Sequence, residues 1–116
     1  MANLLVDTDI FIDHLRGAIP LDPGANRLSY SVVTRAELFA GSSAESALTR
    51  LLSPFREIVV DRAVAERAGR IRRDTGVAMP DALIAATALA NRLALVTRNQ
   101  KHFTAIPGLR IRSLGS

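Results

Sequence analysis

The sequence predicts an α/β domain built on a central, mainly parallel sheet of about five strands. The short apolar runs "LLV", "IVV" and "ALV" are unbroken, as in parallel strands that are buried on both faces. Helical patterns lie between these runs, which is typical of βα units. Because the chain has 116 residues, we expect a single domain that spans residues 1–116.

The N-terminal half is predicted to contain strands, helices and one long loop. After the first strand, apolar residues recur at helical spacing until Gly17, where the helix should end. The segment at 18–27 is rich in Pro and Gly and is therefore predicted to be a loop. Thr34 is expected to cap the helix after the second strand. The predicted elements are a strand at 3–7, a helix at 8–15, a strand at 28–33, and helices at 35–41 and 44–52.

The C-terminal half continues the alternation of strands and helices. Asp61 is expected to cap the helix that follows the third strand. Pro80 stands where the next helix should begin, a position that proline favours. The predicted elements are a strand at 57–60, helices at 62–76 and 81–93, a strand at 94–97, a helical turn at 99–103 and a strand at 109–114.

The composition limits the classes of protein to consider. The absence of cysteine excludes disulfides and thiolate metal sites. No apolar stretch reaches the roughly 20 residues of a membrane-spanning helix, and the N-terminus lacks a signal-peptide pattern, so we expect a cytoplasmic protein that does not enter a membrane. The net charge is +4, and most of the basic residues are arginines, which favours a polyanionic partner. A genome that prefers arginine codons explains the same composition.

A group of polar residues can meet at one edge of the predicted sheet. Asp7 follows the first strand and Thr97 ends the fourth, so parallel pairing places both at the edge where ligands bind in such sheets. Each of the four polar residues named at the end of this paragraph has, taken singly, an ordinary explanation as a helix cap or turn residue. Crowded carboxylates repel one another unless a cation neutralises them, and these oxygen ligands favour Mg²⁺ or Mn²⁺. The group consists of Asp7, Glu37, Asp81 and Asn99.

Four segments of the chain, which contain these polar residues, resemble the PIN-domain ribonucleases, and specifically the VapC-like toxins of bacterial toxin–antitoxin pairs. These segments are "LLVDTDIFIDHLRG", "SVVTRAELFAG", "MPDALIAATALA" and "LVTRNQKHFTAIPGL", in the expected order from residue 4 to 109. The resemblance implies a three-layer α/β/α fold, a Mg²⁺ or Mn²⁺ site, and RNA cleavage that leaves 5′-phosphate and 3′-hydroxyl ends. It also implies a homodimer and inhibition by a cognate VapB-like antitoxin.

The resemblance assigns roles to individual residues. Three acidic residues match the family's metal-binding carboxylates, and an asparagine falls where relatives show aspartate or asparagine. Asp9 departs from the family pattern, in which serine or asparagine is commoner, and its role stays open. The residues expected at the catalytic and metal site are Asp7, Glu37, Asp81 and Asn99, with Thr8 and Thr97 beside them.

Other charged residues are expected to lie around this site. Asp13 is predicted to be a solvated surface acid, because such residues are mostly exposed. His14 and His102 are predicted to be surface or turn residues, since no partner spacing supports a histidine acid–base pair. The basic residues expected to hold the RNA backbone are Arg35, Arg98 and Lys101.

Two other interpretations remain open at this point. The stretch "DTDIF" resembles the nucleophile loop of a HAD-like phosphatase, but that chemistry needs a separate lysine and a later acidic pair, and Lys101 is the only lysine. Alternatively, the acids are helix caps in a non-catalytic module that binds RNA or protein. A metal titration separates such a module from an enzyme, because only a carboxylate site should be stabilised by Mg²⁺.

Overall fold

A five-stranded parallel sheet forms the centre of the computed structural model, which describes residues 2–114. The strands are β1 (Asn3–Val6), β2 (Arg27–Ser31), β3 (Arg56–Ile58), β4 (Ala94–Val96) and β5 (Ile111–Arg112). They lie in the order β3-β2-β1-β4-β5, and every neighbouring pair is parallel. The predicted α/β class with a parallel sheet is therefore confirmed. The outer limits of the predicted domain, residues 1 and 116, lie outside the described residues.

Helices cover both faces of this sheet. Successive β1 side chains point to opposite faces, so Leu4 and Val6 pack with Phe11 in one apolar core while Leu5 packs with Ile84 in another. This arrangement confirms the three-layer α/β/α fold. The helices are α1 (Thr8–Leu15), α2 (Val32–Phe39), α3 (Glu45–Leu52), α4 (Arg62–Thr75) and α5 (Met79–Ala90), with a short 3₁₀ turn at Gln100–His102.

The register of β1 against β4 positions the candidate site. Val6 is paired with Val96, and the Asp7 N–H donates to the Val96 carbonyl over 2.9 Å. Asp7 directly follows the last residue of β1, and Thr97 directly follows the last residue of the neighbouring strand β4. Both side chains consequently leave the sheet at its carboxyl edge, as the sequence predicts.

The predicted boundary between β2 and α2 is wrong. The helix begins at Val32, and Ser31 caps it by accepting a hydrogen bond from the Val33 N–H over 3.0 Å. Thr34, which was expected to be the cap, is fully buried inside the first turn. The β-branched residues Val32 and Val33 favour a strand, which is why the strand was predicted to continue through them. Ser31 is a favourable N-cap residue, and the helix begins directly after it.

The other helix starts lie within two residues of the predicted ones, the largest difference being α5, which begins at Met79 instead of residue 81. Asp61 caps α4 by accepting from the Val64 N–H over 2.9 Å, and Pro80 lies in the first turn of α5. The outer strands β3 and β5 are shorter than predicted. Within residues 2–114, no helix has the length and hydropathy needed to cross a bilayer.

Candidate active site

The site lies beyond the carboxyl edge of β1 and β4, where several segments meet. Two buried carboxylates, Asp7 and Asp9, come from the junction of β1 and α1, and Thr97 comes from the end of β4. Glu37 projects from α2, and Asp81 lies in the first turn of α5.

A threonine hydroxyl lies between the two buried carboxylates. The Asp7 Oδ1 accepts from the Thr8 N–H over 2.8 Å, and its Oδ2 is 2.8 Å from the Thr97 Oγ1. The same Thr97 Oγ1 is 3.2 Å from the Asp9 Oδ2. A hydroxyl carries one proton, so Thr97 cannot fully satisfy both carboxylates at once. One of the two carboxylates therefore lacks a full hydrogen bond from Thr97.

Asp9 also fixes the loop that follows β4. Its Oδ2 accepts from the backbone N–H groups of Arg98 and Asn99, over 3.0 and 3.1 Å. Its Oδ1 is buried and has no hydrogen-bond partner in the described part of the chain. Asp9, whose role the sequence left open, thus turns toward the site and shapes the loop that carries Asn99.

Burial raises the pKa of Asp7 to about 6, and the neighbouring charge of Asp9 adds to the effect. The hydrogen bonds from Thr97 and Thr8 lower the pKa of Asp7, while the charge of Asp81 raises it. A bound cation would reverse the direction of this shift, because it favours the charged form.

Glu37 is oriented by two hydroxyl groups. The Thr8 Oγ1 donates to the Glu37 Oε1 over 2.7 Å and lies 2.9 Å from the Thr34 Oγ1. Since a hydroxyl has one proton, Thr34 is the donor to Thr8 when Thr8 donates to Glu37. Thr8 therefore links the two acids: its backbone holds Asp7 and its side chain holds Glu37. The buried Thr34 donates to Thr8 in this chain of hydrogen bonds, whereas it was expected to cap α2.

Asp81 has a histidine partner that the sequence did not predict. The His102 Nδ1 lies 3.3 Å from the Asp81 Oδ2, and His102 itself stands in the 3₁₀ turn, where a turn residue was expected. His14 lies elsewhere and accepts from the Leu21 N–H through Nδ1 over 2.9 Å. The two histidines thus contact different segments, which agrees with the prediction that they form no pair.

Asp13 is not the solvated surface acid that was expected. Its side chain is 7% exposed, and its Oδ1 accepts from the Arg98 Nη1 over 2.7 Å. The expectation was wrong because a basic partner distant in sequence offsets the cost of burying this carboxylate.

Among the other basic candidates, the structure distinguishes two environments. The Arg35 guanidinium is bonded to Glu57, donates to the Tyr30 hydroxyl over 3.0 Å, and lies 5.7 Å from the centre of the Phe39 ring. Lys101 is exposed in the 3₁₀ turn that follows Asn99. Arg35 therefore contacts residues outside the acidic group, whereas Lys101 lies in the loop beside it.

The acidic residues share an edge but do not converge as a ready-made metal centre. Among residues 2–114, no three carboxylate or histidine side chains form a group that could hold one metal ion as they stand. Instead, Glu37 accepts a hydrogen bond from Thr8, and the Asp81 carboxylate lies against His102. The donor set nevertheless fits a hard cation, because its donors are oxygens and the buried Asp9 Oδ1 lacks a partner.

Comparisons with known proteins agree with this fold. The sequence matches the family model for the PIN domain over residues 4–109. Ribonuclease VapC10 of Mycobacterium tuberculosis is 36% identical over 132 residues, which covers 95% of this chain and 99% of that protein. A toxin-antitoxin complex from Klebsiella pneumoniae contains a chain with 35% identity and a TM-score of 0.74, covering 91% of this chain and 94% of that one. VapBC2 from Rickettsia felis, bound to a DNA fragment from their promoter, gives 25% identity and a TM-score of 0.82, with coverages of 96% and 98%.

The fold and site define an α/β domain with an acidic edge beyond the carboxyl ends of its parallel strands. The chain belongs to the PIN-domain family, and the relatives that match it along most of its length include the VapC proteins VapC10 and VapC19. The family match includes the stretch "DTDIF", so it disfavours the HAD-like phosphatase interpretation.

The raised pKa of Asp7 predicts a pH-dependent stability difference. An acid whose pKa is higher in the folded state binds more protons when folded, so its contribution to stability is lost as pH rises from about 4 to about 6. In EDTA at pH 7, Asp7→Asn should therefore raise the free energy of unfolding, by up to about 3 kcal/mol, and this gain should vanish near pH 4. Urea unfolding of both proteins between pH 4 and pH 7 measures the difference.

Magnesium provides the control for this measurement. If Asp7 holds the cation, saturating Mg²⁺ should stabilise the wild type and leave Asp7→Asn nearly unchanged at pH 7. An advantage of Asp7→Asn that is constant from pH 4 to pH 7 would contradict the assigned shift.

Proposed function

We propose that this chain is a metal-dependent ribonuclease that hydrolyses RNA phosphodiester bonds and acts as the toxin of a toxin–antitoxin pair. The observation that carries the proposal is the pair of buried carboxylates, Asp7 and Asp9, around Thr97, directly beside a loop with basic residues. The names of the VapC relatives support the same activity.

The residues proposed to hold Mg²⁺, with Mn²⁺ as a substitute, are Asp7, Glu37, Asp81 and Asn99. When bound, such a cation supplies charge stabilisation at the phosphate and favours deprotonation of water. The protein's own task is to orient these oxygens. Thr97 and the Thr8 N–H fix the Asp7 carboxylate, and Asp9 fixes the backbone of the loop that carries Asn99.

Hydrolysis requires one proton transfer away from the attacking water. A carboxylate of the site accepts that proton and the water oxygen forms a bond to phosphorus. The bond from phosphorus to the 3′ oxygen breaks, and the 3′ oxygen leaves with the bonding electrons and takes up a proton from solvent. The products then have 5′-phosphate and 3′-hydroxyl ends. Within this proposal Arg98 and Lys101 contact the RNA backbone. Arg35 is a weaker candidate, because Glu57 and Tyr30 already bind its guanidinium.

Asp81→Asn tests the catalytic proposal directly. The amide keeps the size of the side chain but is a weaker cation ligand and cannot accept a proton, so RNA cleavage should fall by about 100-fold or more. The fold should persist, because Asp81 is partly exposed and lies in the first turn of α5. A gel assay with purified protein, single-stranded RNA and Mg²⁺ measures the loss.

Asp74→Asn is the matched control, since it makes the same chemical change in an exposed acid of α4. It should cleave like the wild type. Near wild-type cleavage by Asp81→Asn would refute the site assignment. It would leave a non-catalytic RNA- or protein-binding module as the better interpretation if Mg²⁺ also failed to stabilise the protein.

Asn99 is proposed to be a supporting ligand, and its backbone is held independently of its side chain. Its N–H donates to Asp9 and to the Thr97 Oγ1, so Asn99→Ala should leave the loop in place. We expect Asn99→Ala to lower cleavage by about tenfold, less than Asp7→Ala, because it removes no negative charge. Asn99→Asp should bind Mg²⁺ more tightly and lower the stability of the metal-free protein. Metal titrations and cleavage assays decide this order, and equal inactivation by Asn99→Ala and Asp7→Ala would refute it.

The proposed partners are a VapB-like antitoxin and a second copy of the chain. The similar solved structures include toxin–antitoxin and VapBC complexes, which supports the antitoxin. The exposed apolar residues Ile19, Val59 and Met79 are available for contacts. Sedimentation of the isolated chain should give a homodimer at micromolar concentration. Co-expression with the neighbouring gene should give a heteromer that no longer cleaves RNA. A monomer in the first experiment contradicts the homodimer, and undiminished cleavage in the second contradicts the antitoxin.

A further inference from the structure

Two acids on α1 face the loop after β4, and both are held by the same arginine. Asp9 and Asp13 are one helical turn apart, and each is less than 10% exposed. Like charges at this spacing destabilise a helix, and their burial adds a further cost, so each carboxylate requires a compensating partner. Asp9 accepts from the Arg98 backbone N–H over 3.0 Å, and Asp13 accepts from the Arg98 Nη1 over 2.7 Å.

These contacts fix Arg98 at both ends while leaving its charge accessible. The Arg98 side chain is 51% exposed although its Asp13 partner is only 7% exposed. A guanidinium has five N–H donors in a planar fork, and the bond to Asp13 uses one side of that fork. The exposed part of Arg98 is thus held in a defined orientation and can donate to a further oxygen ligand.

The surroundings of Arg98 identify the chemistry of that ligand. Residues 98–102 line an open depression of about 500 Å³ whose basic side chains are Arg98 and Lys101, while His102 lies against Asp81. Thr97, the preceding residue, contacts Asp7 in the acidic site. A basic depression next to an acidic centre suits one phosphate of a polyphosphate backbone, when the adjacent phosphate of that backbone enters the acidic centre.

We propose that Asp13 is a positioning residue, which holds the Arg98 guanidinium so that it binds a backbone phosphate of the RNA substrate. This inference rests on the proposed ribonuclease function. The proposed effect of Asp13 on RNA binding is opposite in sign to the effect of its charge. By electrostatics alone, an acid near a binding site for a polyanion weakens binding. If charge were its only effect, Asp13→Asn would tighten RNA binding. The positioning role predicts weaker binding.

The experiment measures binding and cleavage separately. Fluorescence anisotropy of a labelled single-stranded RNA in EDTA should show that Asp13→Asn and Arg98→Gln each weaken binding by about three- to tenfold. The double variant should bind no more weakly than Arg98→Gln, because Asp13 acts through Arg98. With Mg²⁺, KM should rise by a similar factor in each variant while kcat changes by less than about twofold. In Arg98→Gln, the slope of log affinity against log salt should fall by about 0.7.

Asp22→Asn is the matched control, because Asp22 is an acid that lines the same cavity as Asp13 and contacts Gly24 locally. It should bind RNA as tightly as the wild type, or more tightly. Asp13→Glu keeps the carboxylate and should recover part of the lost affinity. Circular dichroism checks that each variant is folded. If Asp13→Asn unfolds, the RNA affinities of Asp13→Glu and Arg98→Gln are compared with that of the wild type instead.

The outcomes separate this inference from the proposed function. Binding by Asp13→Asn that equals or exceeds that of the wild type overturns the positioning role, as does additivity of the two substitutions. Absence of any RNA binding by the wild type overturns it as well. RNA binding that depends on Asp13 and Arg98, without cleavage by the wild type, supports the positioning role and overturns the ribonuclease proposal alone.

Discussion

The site depends on the burial of two carboxylates around a single hydroxyl. Asp7 and Asp9 are each less than 10% exposed, and Thr97 has one proton to offer them. Such a pair is tolerated only where backbone donors and a well-packed scaffold compensate for lost hydration. The central position of β1 provides this, because pairing with β4 brings Thr97 beside Asp7 and directs the loop amides toward Asp9. The edge of the sheet therefore stores an electrostatic cost that a bound cation would relieve.

Much of the fold could be predicted from the sequence because its signals are local. The apolar runs, the helical periodicity and the Asp61 cap are each contained within a few residues, and together they indicate the parallel sheet and the shared edge of Asp7 and Thr97. The start of α2 was missed because Val32 and Val33 continue the strand pattern, so the cap at Ser31 was not recognised.

The parts of the site that the sequence did not reveal depend on distant partners. Asp13 and Arg98 are 85 positions apart, and no local pattern distinguishes a buried, paired aspartate from a solvated one. The same applies to the contact between Asp81 and His102 and to the link from Thr8 to Glu37. Composition and motif spacing show which residue types are present, whereas the fold decides which of them meet.

The arginines show how far composition can be interpreted. A high arginine content suits both polyanion binding and a codon preference, and the total does not separate the two. The partners of individual residues are more informative. Arg35 contacts Glu57, Tyr30 and Phe39, which places its charge in a local network. Arg98 is bound by acids that are themselves buried, so it retains an exposed charge in a fixed place. A buried acid that lies against an exposed arginine is costly for stability alone. Its presence here is best explained by the orientation that it gives to that arginine.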